Sequence, residues 1–149
     1  MKQPRNYFVF NKPSDYRRSW CDNLTCTGGT VALTDSTRPG ILWSRLLDSR
    51  EKETDWHRMT MESHCRGAAS VRFSFYCAES DTVIWQGTPH SLGQLLRDEA
   101  LTDEDRLRLS APWLVRTALN PTDILLEDVK GRYLWFRAEL VAEAGESPE

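Results

Sequence analysis

Two segments alternate between side chains of different character, and this period of two constrains the fold more than any other feature of the sequence. In residues 70–78 the apolar positions on one side are Val71, Phe73, Phe75 and Cys77. In residues 132–141 the corresponding positions are Leu134, Phe136, Ala138 and Leu140. Alternation over this length predicts strands with one face buried and the other mostly wet, which is typical of an antiparallel sheet.

Shorter strands are predicted elsewhere, because apolar runs of a few residues are bounded by turn-forming residues. They fall at residues 7–10, 30–33, 41–47, 56–62 and 123–129. Gly28-Gly29 and Lys130-Gly131 mark turns between them.

Two short helices are predicted between the strands. Ser91 precedes leucines with helical spacing, and Thr102 precedes three acidic residues that suit the first turn of a helix that ends at Pro112. We therefore expect residues 1–149 to form one mainly β domain. It is an antiparallel β-sandwich, jelly-roll-like, with a helical insertion at about 88–119. Residues 142–149 are predicted to be a linker to a downstream region, which makes the chain a domain of a longer protein.

Charge and cysteine content exclude several functional classes. A net charge of −3 does not suit binding to phosphate backbones, so no nucleic-acid partner is expected. No apolar run reaches the length of a membrane span, and no secretory signal is present. The spacing of Cys21, Cys26, His57, His64 and Cys65 does not suit a zinc site, so we expect no metal, no cofactor and free thiols in the cytoplasm.

Two groups of side chains are candidates for protein interaction. Tyr133, Trp135 and Arg137 share one face of the strongest C-terminal strand, and Trp56 and Arg58 share the more polar face of another. These residue types are enriched where interfaces bind most strongly. The alternative is that the helices cover Tyr133, Trp135 and Trp56. A second route to a partner is a free edge beside residues 132–141, left open if a downstream strand is missing.

Asp48, Glu51, Asp55 and His57 lie close together in the sequence and raise the possibility of acid–base catalysis. The alternative is that Asp48 bonds to its own turn and pairs with an arginine. Because no set of nucleophile, base and orienting residue is visible, we expect no enzyme.

Two parts of the chain resemble a known family. The first comprises residues 44–51 (SRLLDSRE), Thr54 and residues 56–58 (WHR). The second comprises residues 120–126 (NPTDILL) and 131–140 (GRYLWFRAEL). They are similar to the N-terminal β-domain of baseplate proteins of the tail-protein-I-like family in phage tails and contractile injection systems.

The resemblance implies a non-catalytic structural module that assembles with neighbouring baseplate proteins, within a symmetric particle that is released or docked at a membrane. An alternative hypothesis is a carbohydrate-binding module that uses Trp56 with Trp135 or Tyr133 as a stacking platform. A hydrolase using Asp48, Glu51 and His57 is a third hypothesis.

Overall fold

A computed structural model describes residues 19–27, 30–35, 37–50, 52–53, 56, 58–60, 70–119, 123–126 and 129–141. For residues 26–27, 30–31, 58–60 and 123–125 it describes the backbone alone. Their strands are β1 (Trp20–Asp22), β2 (Leu24–Thr27), β3 (Thr30–Leu33), β4 (Gly40–Trp43), β5 (Leu47–Asp48), β6 (Arg58–Thr60), β7 (Ser70–Ala78), β8 (Thr82–Trp85), β9 (Thr88–Ser91), β10 (Leu114–Leu119), β11 (Asp123–Leu125) and β12 (Tyr133–Val141). Their helices are α1 (Leu92–Arg97) and α2 (Asp103–Ser110), followed by a 3₁₀ turn (Ala111–Trp113).

The main sheet is antiparallel, and its strands lie in the order β1-β4-β12-β7-β10, with β5 also paired to β12. The two segments with the strongest alternation, β7 and β12, pair along their full length at its centre. Three two-stranded sheets, β2–β3, β6–β11 and β8–β9, complete the described strands. The fold is therefore mainly β and sandwich-like, with a small helical insertion, as the sequence predicts.

One face of the main sheet carries the alternating apolar residues and forms the first core. Its largest members are aromatic: Phe73 lies 5.7 Å and Phe75 6.1 Å from Phe136, between ring centres. Leu24 and Leu33 of the β2–β3 hairpin pack against this core. These contacts explain how the hairpin covers the sheet on this side.

The opposite face is also buried over much of its area, which agrees with the alternative that the helices cover Trp135 and Tyr133. Trp43, Tyr76 and Trp135 form an aromatic row there, with ring centres 5.4 and 5.6 Å apart. The leucines of α1 and Leu109 of α2 pack on this row. The side chains of the main sheet that point away from the first core thus belong to a second core, because the helices cover them.

Capping chemistry differs between the two helices. Thr102 caps α2 as predicted: its hydroxyl accepts from the Asp105 N–H, and the Asp105 carboxylate accepts from the Thr102 N–H. Ser91 occupies the cap position of α1, but its side chain makes no capping bond. The Leu92 N–H instead donates to the Asp81 carbonyl at 2.6 Å. A backbone group from the β8 side therefore replaces the predicted side-chain cap.

Arg106 connects the two helices from inside the second core. Its fully buried guanidinium lies 4.2 Å from the centre of the Trp20 ring. Burial lowers the pKa of Arg106 to about 10. It donates, over 2.5–3.3 Å, to the carbonyl oxygens of Leu96, Asp98, Leu101 and Thr102. The charge therefore satisfies the carbonyls at the end of α1 and fixes the turn into α2.

Three sequence predictions about organisation are wrong in detail. The insertion is shorter than 88–119, because Thr88–Ser91 and Leu114–Leu119 are strands. The segment 41–47 is two strands, since residues 44–46 interrupt it. The free edge is not at β12. That strand has β7 on one side, and β4 and β5, which together we call the β4–β5 line, on the other. Residues 7–10, 28–29, 61–69 and 142–149 lie outside the described residues.

Candidate protein interaction site

The outermost strand of the main sheet, β10, is unusually apolar on its exposed surface. Leu114, Val115 and Leu119 are 49%, 43% and 60% exposed. Among the strands that the structure describes, β10 pairs only with β7. It is therefore an edge strand that carries exposed hydrophobic side chains, a combination that promotes pairing with another chain.

Ser44 shows which way the backbone groups of the central strands point. The Ser44 N–H donates to the Phe136 carbonyl, and the Phe136 N–H donates to Ser44 Oγ, both at 2.9 Å. The backbone groups of Phe136 thus point toward the β4–β5 line and away from β7. Since antiparallel pairs alternate between bonded and non-bonded kinds, the Phe136–Phe75 pair is non-bonded. The backbone groups of Phe75 must point toward β10.

The same alternation assigns the backbone groups of β10. Arg116 lies opposite Phe75, and Ala118 lies opposite Phe73. Both residues of β10 therefore exchange backbone hydrogen bonds with β7. Thr117 and Leu119 alternate with them and direct their N–H and C=O groups to the open side. We call this open side, over residues 114–119, the β10 edge. It offers two donors and two acceptors at the spacing of a strand ladder.

A groove of about 350 Å³ lies on the sheet beside the β10 edge. It occupies the part of the second face that the helices leave uncovered. Its lining comprises Arg72, Ser74, Thr117, Ala118, Leu119, Arg137 and Glu139. The lining contains two arginines and one glutamate, and Asp103, which is bonded to Arg137, adds a second carboxylate beside them.

Arg137 forms the inner wall of the groove and is held rigidly. Asp103 at the start of α2 accepts from Arg137 Nε at 2.9 Å and Nη2 at 2.8 Å. Trp43 Nε1 also donates to Asp103, at 2.7 Å, and Glu139 lies 3.2 Å from Arg137 Nη2. Burial acts to raise the pKa of Asp103, but the bonds from Arg137 and Trp43 outweigh it and hold that pKa below its usual value. This network ties α2 to β4 and β12.

The groove also contains Arg72, which differs from Arg137 in having no ion pair among the residues that the structure describes. Arg72 is exposed on β7, directly across from Glu139 on one side and Leu119 on the other. The Glu139 carboxylate is occupied by Arg137. Within the part of the chain that the structure describes, Arg72 has no ion-pair partner. Its guanidinium is therefore available to an anionic group that enters the groove.

The residues that the sequence suggested for interaction lie mostly inside the protein. Trp135 is 0% exposed and donates to Ser110 Oγ of α2 at 3.0 Å. Tyr133 and Arg137 are both 8% exposed. The proposed interaction face of Tyr133, Trp135 and Arg137 is thus corrected: Trp135 lies under the helical insertion, Arg137 is bonded to α2, and of the three only Arg137 lines an open surface.

Trp56 is half-buried and serves the first core. Its Nε1 donates to the Gly131 carbonyl at 2.8 Å. Arg58 belongs to β6, and its side chain lies outside the described residues. Because Trp135 and Tyr133 are buried, the stacking platform of the carbohydrate hypothesis is not present at the surface.

Asp48 has a structural role. Its carboxylate accepts from Arg132 Nε at 2.8 Å and Nη2 at 3.1 Å, and from the Arg50 N–H at 2.7 Å. The bond to Arg132 holds the pKa of Asp48 below its usual value despite the opposing effect of partial burial. The other members of the suggested catalytic group, Glu51, Asp55 and His57, lie outside the described residues.

The β10 edge and Arg72 were missed at the level of sequence. Residues 114–119 (LVRTAL) combine branched and apolar residues in the way strands do, which is a signal that the preceding helices obscured. Nothing in the sequence distinguishes Arg72 from other arginines, because the availability of its guanidinium to a partner depends on the strands beside it.

Among the described residues, no group of three or more His, Cys, Asp or Glu side chains is placed to hold a metal ion. None of the helices in those residues is long and apolar enough to cross a membrane. No protein-family model, curated protein or solved structure matches the chain.

Proposed function

We propose that the chain is a non-catalytic assembly module that binds an extended segment of another protein at the β10 edge. The observation that carries this proposal is the β10 edge itself, with outward backbone groups at Thr117 and Leu119 beside three exposed hydrophobic side chains. A strand added there gains main-chain hydrogen bonds, and side chains beside the edge select the partner.

The composition of β10 supports a binding role. Edge strands are usually protected by lysine, proline, a bulge or short length. Only a bulge between Leu114 and Arg116 is present in these six residues, with Arg116 as their single charge. The regular part, residues 116–119, stays available for pairing.

The groove argues for a different protein as the partner, and against a second copy of this chain. The guanidinium of Arg72, which has no ion-pair partner among the described residues, is complemented by an acidic residue on the added strand. Residues 114–119 contain no acidic residue, so a second β10 paired across the edge supplies none.

The sequence resemblance adds a biological setting to this proposal. Residues 44–58 and 120–140 contain the segments similar to baseplate proteins of contractile injection systems. The proposed setting is therefore the baseplate of a phage-tail-like particle that assembles in the cytoplasm, with a neighbouring tail protein as the source of the added strand.

Co-purification with the tail proteins encoded beside this chain tests the setting. We expect one of them to bind, and binding to be lost in Thr117→Pro, which removes an outward N–H. The matched control, Thr117→Val, keeps that N–H and should bind normally. Absence of the protein from purified particles would contradict the baseplate setting.

Sedimentation of the isolated chain tests the choice of partner. We expect a monomer at micromolar concentration. A dimer that Thr117→Pro dissociates would overturn the proposal that another protein occupies the β10 edge.

A further inference from the structure

We infer that the groove selects a strand carrying an aspartate or glutamate, whose carboxylate binds Arg72. This inference rests on the proposed function, because the acidic residue arrives on the strand that pairs with β10. The groove then acts as the specificity pocket of the β10 edge.

Sheet geometry brings the two groups together. Arg72 lies directly across from Leu119 in the β7–β10 pair, and both line the groove. Adjacent strands are about 4.8 Å apart, so an added residue opposite Leu119 has its Cα roughly 10 Å from that of Arg72. Extended arginine and glutamate side chains together span this distance. Their aliphatic parts then cover Leu119, which is 60% exposed without a partner.

The ion pairs around the groove favour one negative charge at Arg72. Arg137 is already paired with Asp103 and Glu139, so its charge is neutralised within the protein. Within the described residues, Arg72 is the guanidinium of the groove that has no ion-pair partner. Glu139, at the inner end of the groove, repels a second acidic group. A strand with one acidic residue flanked by apolar residues is therefore the best complement.

The test uses ten-residue random peptides displayed on yeast and selected for binding to the whole chain. Selected peptides that lose binding to Thr117→Pro are synthesised with either glutamic acid or glutamine at the enriched acidic position. Their affinities are measured by fluorescence anisotropy. The variant Arg72→Gln removes the guanidinium, and Arg97→Gln makes the same charge change at an exposed position on α1.

On the wild-type protein, the change from glutamic acid to glutamine should weaken binding about tenfold, the effect of losing one charge-assisted hydrogen bond. On Arg72→Gln the two peptides should bind equally, whereas Arg97→Gln should behave as the wild type does. Peptides that depend on Thr117 but show no acidic preference would overturn the inference about the groove, as would a preference that persists in Arg72→Gln. Recovery of no Thr117-dependent peptide at all would instead overturn strand addition at β10.

Discussion

Proline substitutions at two adjacent positions of β10 should have very different effects on stability. Proline lacks the backbone N–H, and it is tolerated in an edge strand only where that N–H faces solvent. The Thr117 N–H points to the open side, and the Ala118 N–H points to β7. The variants Thr117→Pro and Ala118→Pro therefore read out the alternation that defines the β10 edge.

The expected magnitudes follow from the hydrogen bonds. Thr117→Pro breaks no bond to β7 and should change the free energy of unfolding by less than about 1 kcal/mol. Ala118→Pro loses one backbone hydrogen bond and leaves a carbonyl of β7 without its donor. These losses amount to about 2–4 kcal/mol. Thr117→Ala and Ala118→Val control for the change in side-chain size.

Urea unfolding followed by tryptophan fluorescence measures the difference, because Trp43 and Trp135 are fully buried and report on the core. For a loss of about 3 kcal/mol and a slope of about 2 kcal/mol per molar urea, the midpoint of Ala118→Pro should fall by about 1.5 M. The midpoint of Thr117→Pro should fall by less than about 0.5 M. Equal losses in the two variants, or a larger loss in Thr117→Pro, would refute the assignment of outward groups and with it the proposed binding edge.

Three further predictions concern the groups that hold the two cores. Arg106→Met should lower the free energy of unfolding by about 3–5 kcal/mol in urea unfolding, because several buried carbonyls lose a charged donor; Arg106→Lys should restore only part of this, since an ammonium lacks the fork of a guanidinium. Asp103→Asn should cost about 2–3 kcal/mol at pH 7 by leaving Arg137 buried without its main partner. Because the pKa of Asp103 is lower in the folded state, its stabilisation is present above the unfolded pKa and is lost as pH falls through the folded pKa. The free energies of unfolding of wild type and variant should therefore converge below pH 4. A difference that stays constant would contradict this. Burial raises the pKa of Cys77 from 9.0 to about 11. The contribution of the protonated Cys77 thiol to the free energy of unfolding is therefore complete below pH 9. It should be lost, by up to about 2.7 kcal/mol, as pH rises to 11. At pH 8 peptide mapping should show alkylation of the partly exposed Cys21 well before that of Cys77, and equal rates would show that Cys77 is not protected.

The sequence determined the elements whose signals are local. The alternation in Ser70–Ala78 and Tyr133–Val141 identified the two central strands and their shared apolar face, because successive side chains of a strand point to opposite sides. The pattern from Thr102 to Asp105 likewise identified the start of α2, since capping involves only neighbours within one turn. From these signals the mainly β class with a small helical insertion could be predicted.

The candidate site could not be predicted in the same way, because its properties depend on which elements become neighbours. The sequence placed Trp135 on a second face of its strand, but only the packing of α2 decides that this face is a core. The sequence also suggested that the free edge of the sheet lies beside Tyr133–Val141. The strand order instead places that segment at the centre of the main sheet and makes Leu114–Leu119 its outermost strand.

Long-range pairing is the physical reason for this division. Periodicity states which side chains share a face, and it carries no information about what covers that face or which strand ends a sheet. The burial of Arg106 and the availability of Arg72 illustrate the point, since both are arginines beside apolar residues in the sequence. The sequence by itself determined the two central strands, their shared apolar face and the start of α2. The tertiary structure alone decided which edge, and which charge, is left for a partner.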